Sequence, residues 1–323
     1  MIETIITFLI IGVSMAVVIM ANLGENSKRE REITYILLAF LCCFFIATGA
    51  LIMLASMIDM PYPNEFKPNF IMGAGILFTG AFSIFLLFKN LRKIIAKFIP
   101  INPGSVVHAA GLVFAFIVIG SSLTIMFSTD MVSLLEESGG EFQINEAGIL
   151  AQDAFFIVIA LAGIGIFIRR TPGECIERLN LAIPTVKQFM IGIILIPVFL
   201  AFVIFYEFIM SQFYPGSAAD IEKIMELLLG EPTLLLALIA GLGAGISEEI
   251  LFRGAIQPRF GIPTTAFLFA VVHVQYPAFW VLIELFIIGV LLGYLKEKTN
   301  TTTCIITHSG YDLVVFLSLI YYY

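Results

Sequence analysis

Hydrophobic residues in this chain fall into long, nearly uninterrupted runs, unlike the short alternating patterns of soluble helices and strands. A run of about 20 apolar residues is long enough for a helix to cross the hydrocarbon core of a bilayer. The sequence therefore predicts an all-α fold, a polytopic transmembrane bundle of about ten helices. The predicted helices cover residues 4–21, 33–54, 70–88, 106–127, 149–168, 189–209, 233–252, 263–274, 278–295 and 301–322.

Composition supports a membrane protein, because 60% of the 323 residues are hydrophobic and only 13% are charged. Such values lie far outside the range of soluble globular proteins. The eighth predicted helix is too short to cross a bilayer unaided, and it begins at the break Gly261-Ile262-Pro263. No basic cluster suggests nucleic acid as a partner, and the predicted surroundings are the lipid bilayer.

The basic residues predict an orientation. Every lysine and arginine except Lys67 and Lys223 lies in the odd-numbered connections between the predicted helices. Basic residues concentrate in cytoplasmic loops. The pattern therefore favours ten crossings with both termini outside, in an integral protein of the cell membrane.

Ionisable residues at membrane depth divide the chain in two. Residues 1–148 hold a single such residue in their four predicted helices, His108, and are interpreted as an accessory N-terminal transmembrane bundle. From residue 149 to 323 buried ionisable groups occur in almost every span. Three of them lie away from the main motif: Asp153 and Glu207 near outer helix ends, where we expect interfacial water, and Glu284 at mid-depth, lining a cavity or pairing with a histidine.

Two adjacent acids and an arginine end the seventh apolar run, in the stretch Glu248-Glu249-Ile250-Leu251-Phe252-Arg253. A charge in hydrocarbon costs at least about 2.5–3.5 kcal/mol, so such residues are functional candidates. Glu249 and Arg253 have the i, i+4 spacing of an ion pair on one helix face. Glu248 points about 100° away, and is therefore the more plausible reactive acid.

Three further residues reach a comparable depth from other helices. His273 lies about 15 Å along the eighth predicted helix, and His308 about 10 Å along the tenth. Asp312 follows His308 by one turn on the same face. The spacing permits one site open to the cytoplasm and leaves the order of the helices around it undecided.

In order along the chain, Glu248-Glu249-x-x-x-Arg253, Phe269-x-x-x-His273 and His308-x-x-x-Asp312 resemble the three motifs of the CAAX-protease and bacteriocin-processing family. The family is also called the abortive-infection family and includes the Ras-converting CAAX prenyl endopeptidases. The resemblance covers residues 149–323 and implies that this region is an intramembrane protease core.

The resemblance implies roles for these residues. Glu248 would activate water with His273 as its partner, while His308 and Asp312 would stabilise the oxyanion, supported by Glu249 and Arg253. The substrate would be a CAAX-type or related C-terminal peptide, lipidated in some members, cut near the cytoplasmic face. The prenyl endopeptidases typically carry asparagine at position 312, and an ionised Asp312 would repel an oxyanion unless it is protonated, orients His308 or binds a cation.

Three alternatives stay open at this point. Glu248, His273, His308 and Asp312 form a two-histidine, two-carboxylate set that could hold a divalent metal such as zinc, giving a metalloprotease. A second alternative is a catalytically idle membrane binding or bacteriocin-immunity protein. A third is a transporter that uses the acids as proton relays. No other cofactor is expected.

Overall fold

A computed structural model of the chain describes residues 2–58, 69–276 and 278–322. Side chains are described except in residues 2–10, 217–218 and 321–322. All regular structure in these residues is helical, apart from one isolated bridge between Ile166 and Arg170. The prediction of an all-α polytopic bundle is confirmed.

Fourteen α-helices and one π-helical segment make up the described part of the chain. Those of the first half are α1 (Ile2–Gly24), α2 (Lys28–Ser56), α3 (Phe70–Phe85), α4 (Lys89–Ile95), α5 (Val106–Ser128), α6 (Met131–Glu137) and α7 (Glu146–Ile164). Those of the second half are α8 (Pro172–Arg178), α9 (Val186–Phe213), α10 (Ser217–Leu229), α11 (Leu234–Glu249), the π segment (Ile250–Ile256), α12 (Gln257–Val271), α13 (Phe279–Lys298) and α14 (Thr301–Tyr322).

Each of the ten predicted helices corresponds to a helix of the structure. Within the described residues, seven helical stretches are long and apolar enough to cross a membrane, or eight if α3 and α4, bent by 96°, count as one. One of them runs through α11, the π segment and α12 as a single stretch of 38 residues. The predicted end near Phe252 is therefore wrong. The predicted break is present, because Gly261 leaves the helical conformation with φ 76° and Pro263 follows it.

The chain forms two compact units, and neither is one continuous segment. The first unit contains residues 1–128, 159–175 and 259–261; the second contains residues 129–158, 176–258 and 262–323. The division of roles between an accessory bundle, 1–148, and a protease core, 149–323, stays a prediction.

In the first unit, buried Arg92 closes the end of α3. Its guanidinium donates to the carbonyl oxygens of Leu86 and Leu87 at 2.8 and 2.6 Å and to the Tyr35 hydroxyl at 2.7 Å. The last carbonyls of a helix have no partner within the helix, and a cation at the C-terminus satisfies them. A charged residue that the sequence assigns to a loop thus holds the sharp turn from α3 to α4.

In the second unit, α11 and α14 approach each other closely through two glycines one turn apart. A Cβ atom on Gly241 would lie 2.6 Å from the Cα of Leu313, and one on Gly245 would overlap the backbone nitrogen of Ser309. Small residues at this spacing let membrane helices pack backbone to backbone. The contact brings the end of α11, which carries Glu248 and Glu249, beside the middle of α14, which carries His308.

This packing predicts a position-specific loss of stability. We expect Gly245→Ala to lower the free energy of unfolding by about 1–3 kcal/mol, because the added methyl group forces α11 and α14 apart. Gly163→Ala is the matched control, since its Cβ would meet no described atom within 4 Å. Thermal unfolding in detergent measures both. Equal stability of the two variants would contradict the close approach.

Candidate active site

The site begins where α11 passes into the π segment directly after Glu249. A π-helical turn is wider than an α-helical turn and occurs often at functional sites. Within it Arg253 Nη1 lies 3.2 Å from Glu249 Oε1, and both side chains are almost completely buried. The predicted ion pair between these residues is therefore present in the structure.

The last residue of α8, Arg178, holds the π turn from outside the site. The Arg178 guanidinium donates to the carbonyl oxygens of Gly254 and Ala255, at 3.0 and 3.4 Å. Arg253 in turn donates to the carbonyl oxygen of Gly289 on α13 at 3.4 Å. The wide turn is thereby attached to two other parts of the second unit.

His308 of α14 lies between two carboxylates. Its Nδ1 is 2.8 Å from Glu249 Oε1, and its Nε2 is 3.2 Å from Asp312 Oδ2. A carboxylate oxygen accepts hydrogen bonds, so both ring nitrogens donate, which corresponds to the imidazolium form. The contact between Asp312 and His308 is the one expected if Asp312 orients the histidine, and this role remains a prediction.

Glu249 thus contacts His308 directly, in addition to Arg253. Glu248 is 6% exposed, and its Oε2 has no hydrogen-bond partner among the described residues. It interacts electrostatically with His273 and His308, and also with Asp312. Oε2 of Glu249 also lacks a partner, but its Oε1 pairs with Arg253 and His308, whereas no ion pair among the described residues engages Glu248.

His273 reaches the site from just beyond the end of α12. Its Nδ1 lies 2.8 Å from the carbonyl oxygen of Phe269, so Nδ1 carries the hydrogen in the tautomer that this contact favours. The other ring nitrogen, Nε2, is then a lone-pair acceptor. The four residues predicted as catalytic, Glu248, His273, His308 and Asp312, are close together in the second unit.

Phe269, which the sequence offers only as part of a motif, packs at the centre of the site. It is 2% exposed and its ring contacts both histidines, with centroid distances of 5.0 Å to His273 and 5.8 Å to His308. The Arg253 guanidinium lies 4.5 Å from the same ring. Its place four residues before His273 was the available signal.

Asp153 also differs from expectation. It is 7% exposed and accepts a hydrogen bond of 2.6 Å from the Ser247 hydroxyl, next to Glu248 in the sequence. The expectation that Asp153 reaches interfacial water is wrong. Its carboxylate instead ties α7 to the reactive end of α11.

A metal ion does not fit the side chains as they are arranged. Zinc binds a histidine through a ring nitrogen that has a free lone pair. Both nitrogens of His308 face carboxylates, so of the two histidines only His273, through Nε2, has a ring nitrogen with a free lone pair. In the part of the chain that the structure describes, no group of three or more histidine, cysteine or acidic residues has the geometry of a metal site. No step below is derived through a metal.

Comparisons with known proteins agree with the location of this site. Residues 230–314 match the family model described as type II CAAX prenyl endopeptidase Rce1-like. The chain is also 28% identical to the uncharacterized protein YpbD of Bacillus subtilis (strain 168) over 99 residues, which are 30% of this chain and 52% of the relative. The chain thus spans about half the length of that curated relative. No solved structure matches.

The family match covers α11, the π segment, α12, α13 and most of α14, and so includes Glu248, His273, His308 and Asp312. The resemblance to the CAAX-protease and bacteriocin-processing family is confirmed. Over residues 230–314, this integral membrane protein is similar to the Rce1-like family of CAAX prenyl endopeptidases.

Proposed function

We propose that the chain is an intramembrane endopeptidase in which Glu248 activates the attacking water. The observation that carries the proposal is the buried, unpartnered Oε2 of Glu248 within electrostatic reach of two histidines. Attack of water on an amide needs a base positioned to take a proton. The carboxylate of Glu249 is held in place by Arg253 and His308 through Oε1, whereas no described ion pair fixes the carboxylate of Glu248, so Glu248 is the acid proposed to take the proton.

His273 is the second residue proposed to bind the attacking water. With its hydrogen on Nδ1, its Nε2 can accept a hydrogen bond from the same water and orient it toward the substrate carbonyl. As the oxygen attacks the carbonyl carbon, the proton moves to Glu248. Glu248 then returns it to the leaving amine when the C–N bond breaks, so no proton is gained or lost over the cycle.

His308 supplies positive charge where the oxyanion develops. Preorganised charge and donors at a developing oxyanion are worth several kcal/mol of transition-state stabilisation, roughly 3–4 for each donor. In the resting arrangement Asp312 holds Nε2 of His308. We infer that Nε2 becomes a donor to the oxyanion when Asp312 turns aside, and that Glu249 keeps the imidazolium in place.

The proposed substrate is a CAAX-type or related C-terminal peptide that reaches the site from within the membrane or at its cytoplasmic face. The endopeptidase family over residues 230–314 supports a peptide substrate, and the apolar helices around the site are compatible with a lipidated one. The cell membrane and a cytoplasm-facing site belong to the proposal, and both rest on the distribution of basic residues.

An idle binding or immunity protein is the second candidate. The observation in its favour is the engagement of both His308 nitrogens by carboxylates, which leaves no donor for an oxyanion in the resting state. Hydrolysis by the purified chain decides between the two candidates.

The central prediction concerns Glu248. We expect Glu248→Gln to lower kcat/KM on a fluorogenic C-terminal peptide by about 10²–10⁴-fold, because the amide cannot take the proton from water. Glu222→Gln, at an exposed position on α10, is the matched control and should keep full activity. Turnover of Glu248→Gln at the wild-type rate would refute the mechanism.

A second prediction separates the roles open to Asp312. If Asp312 orients His308, the Asp312→Asn variant keeps an acceptor for Nε2, and its kcat falls by less than about 10-fold. The kcat of Asp312→Leu then falls by about 10²-fold or more. If Asp312 is instead a metal ligand, both variants should lose most of their activity. Exhaustive chelation is measured alongside, and we expect it to leave the rate unchanged. Loss of activity on chelation that zinc restores would establish the metalloprotease alternative.

The orientation has its own prediction. In a background without Cys42, Cys43, Cys175 and Cys304, new cysteines are placed at Ile183, between α8 and α9, and at Glu141, between α6 and α7. We expect a membrane-impermeant maleimide to label Glu141→Cys on intact cells and Ile183→Cys only after permeabilisation. The reverse pattern would place the predicted cytoplasmic connections outside.

A further inference from the structure

A second group of ionisable side chains lies in the second unit, apart from the catalytic residues. Its centre is Glu284 of α13, which is 5% exposed and whose Oε1 has no hydrogen-bond partner among the described residues. Glu207 of α9 interacts with it electrostatically. The proposed reaction uses neither acid.

The packing of α9, α13 and α14 explains why these side chains meet. Ile288, Leu292 and Leu295 of α13 form a buried cluster with Phe199 of α9 and Cys304 of α14. Glu284 lies one turn before Ile288, so it continues the same face of α13 into the next layer. On α9 the corresponding continuation, one turn after Phe202 and Val203, is Tyr206 and Glu207.

Aromatic residues hold this layer together and connect it to the catalytic site. The Tyr206 hydroxyl donates to the carbonyl oxygen of Trp280 at 2.9 Å, which joins α9 to the first turn of α13. Tyr276 and Tyr311 each interact electrostatically with both Glu284 and Asp312. The acidic layer is therefore a neighbour of the catalytic residues, with the two phenols common to both.

The two acids have no cation beside them in the described structure. The ion pairs among the described residues engage Glu32, Glu136, Glu226, Glu249, Glu297 and Asp312, and neither Glu207 nor Glu284. Glu284 is buried, whereas Glu207 is exposed. Like charges that lie close together destabilise each other, and a buried carboxylate is stable when a cation pairs with it. The arrangement is thus complementary to a positive group that comes from outside the chain.

We propose that Glu284 and Glu207 form an acidic subsite that binds a lysine or arginine side chain of the substrate. This inference rests on the proposed endopeptidase function and names a specificity determinant for it. A basic side chain that binds here, beside Tyr276 and Tyr311, places the neighbouring peptide bond at His308 and Asp312. Its ammonium or guanidinium group supplies the charge-assisted hydrogen bonds that Glu284 lacks.

The experiment compares internally quenched peptides that carry either lysine or norleucine, an apolar residue of similar length, at each position around the cleaved bond. We expect wild-type chain to prefer lysine at one position by about 10-fold or more in kcat/KM. Glu284→Gln and Glu207→Gln should each reduce that preference toward 1 and leave cleavage of the norleucine peptide unchanged. Glu222→Gln should keep the wild-type preference.

Binding provides a readout that does not need catalysis. The full-length Glu248→Gln chain is titrated with fluorescent lysine and norleucine peptides, alone and combined with Glu284→Gln. Tighter binding of the lysine peptide that disappears in the double variant supports the subsite, even if no peptide is hydrolysed and the proposed function fails. If Glu284→Gln does not fold, exposed Glu207 provides the variant for the same comparison.

Two results would overturn the subsite. One is that the wild-type chain cleaves and binds the lysine and norleucine peptides equally at every position. This result is expected if Glu207 and Glu284 share a proton. The other is an equal loss on both peptides in Glu284→Gln, which is the result of a purely structural role. Either result leaves hydrolysis by Glu248 standing if the peptides are cut.

Discussion

One carboxylate oxygen, Oε1 of Glu249, joins the parts of the site. It lies 3.2 Å from the Arg253 guanidinium and 2.8 Å from the His308 ring, and so connects the π segment to α14. A buried charge is tolerated only with a close partner of opposite sign. Glu249 has two such partners, Arg253 and His308, whose positive charges together exceed its own charge. A second carboxylate, that of Asp312 on the far side of His308, completes the balance. Removal of any one member leaves the others without compensation in a medium of low dielectric.

This network depends on how closely two helices approach. Gly241 and Gly245 let α14 lie against the backbone of α11, so that short acidic side chains reach a histidine on the neighbouring helix. The π turn then places Arg253 against both Glu249 and the Phe269 ring. The two glycines, the π turn and the Phe269 ring thus position the charged side chains, which keep little conformational freedom. Rigid support of this kind is what a preorganised reaction site requires.

The division of labour between two adjacent acids follows from the same geometry. Successive residues of a helix point about 100° apart, so Glu248 and Glu249 project in different directions, and only Glu249 makes ion pairs with Arg253 and His308. It faces the space between His273 and His308 with one oxygen unpartnered, next to a serine that Asp153 holds in place. Beyond this space lie Tyr276 and Tyr311 and then the acids Glu284 and Glu207. The polar groups of the second unit therefore form a series that leads from the proposed reaction centre to the proposed subsite.

Apolar runs and three spaced motifs determined much about this protein without a structure. Run length alone indicates membrane helices because a bilayer leaves no alternative for satisfying the backbone, and the spacing of Glu249 and Arg253 indicates their ion pair because helix geometry is regular. Only the tertiary structure decided which residues of different helices are in contact. The partner of His308, the burial of Asp153 and the role of Phe269 all arise where distant segments meet, and the π turn follows no local pattern in the sequence. Periodicity describes one helix at a time, whereas these features depend on which faces pack together.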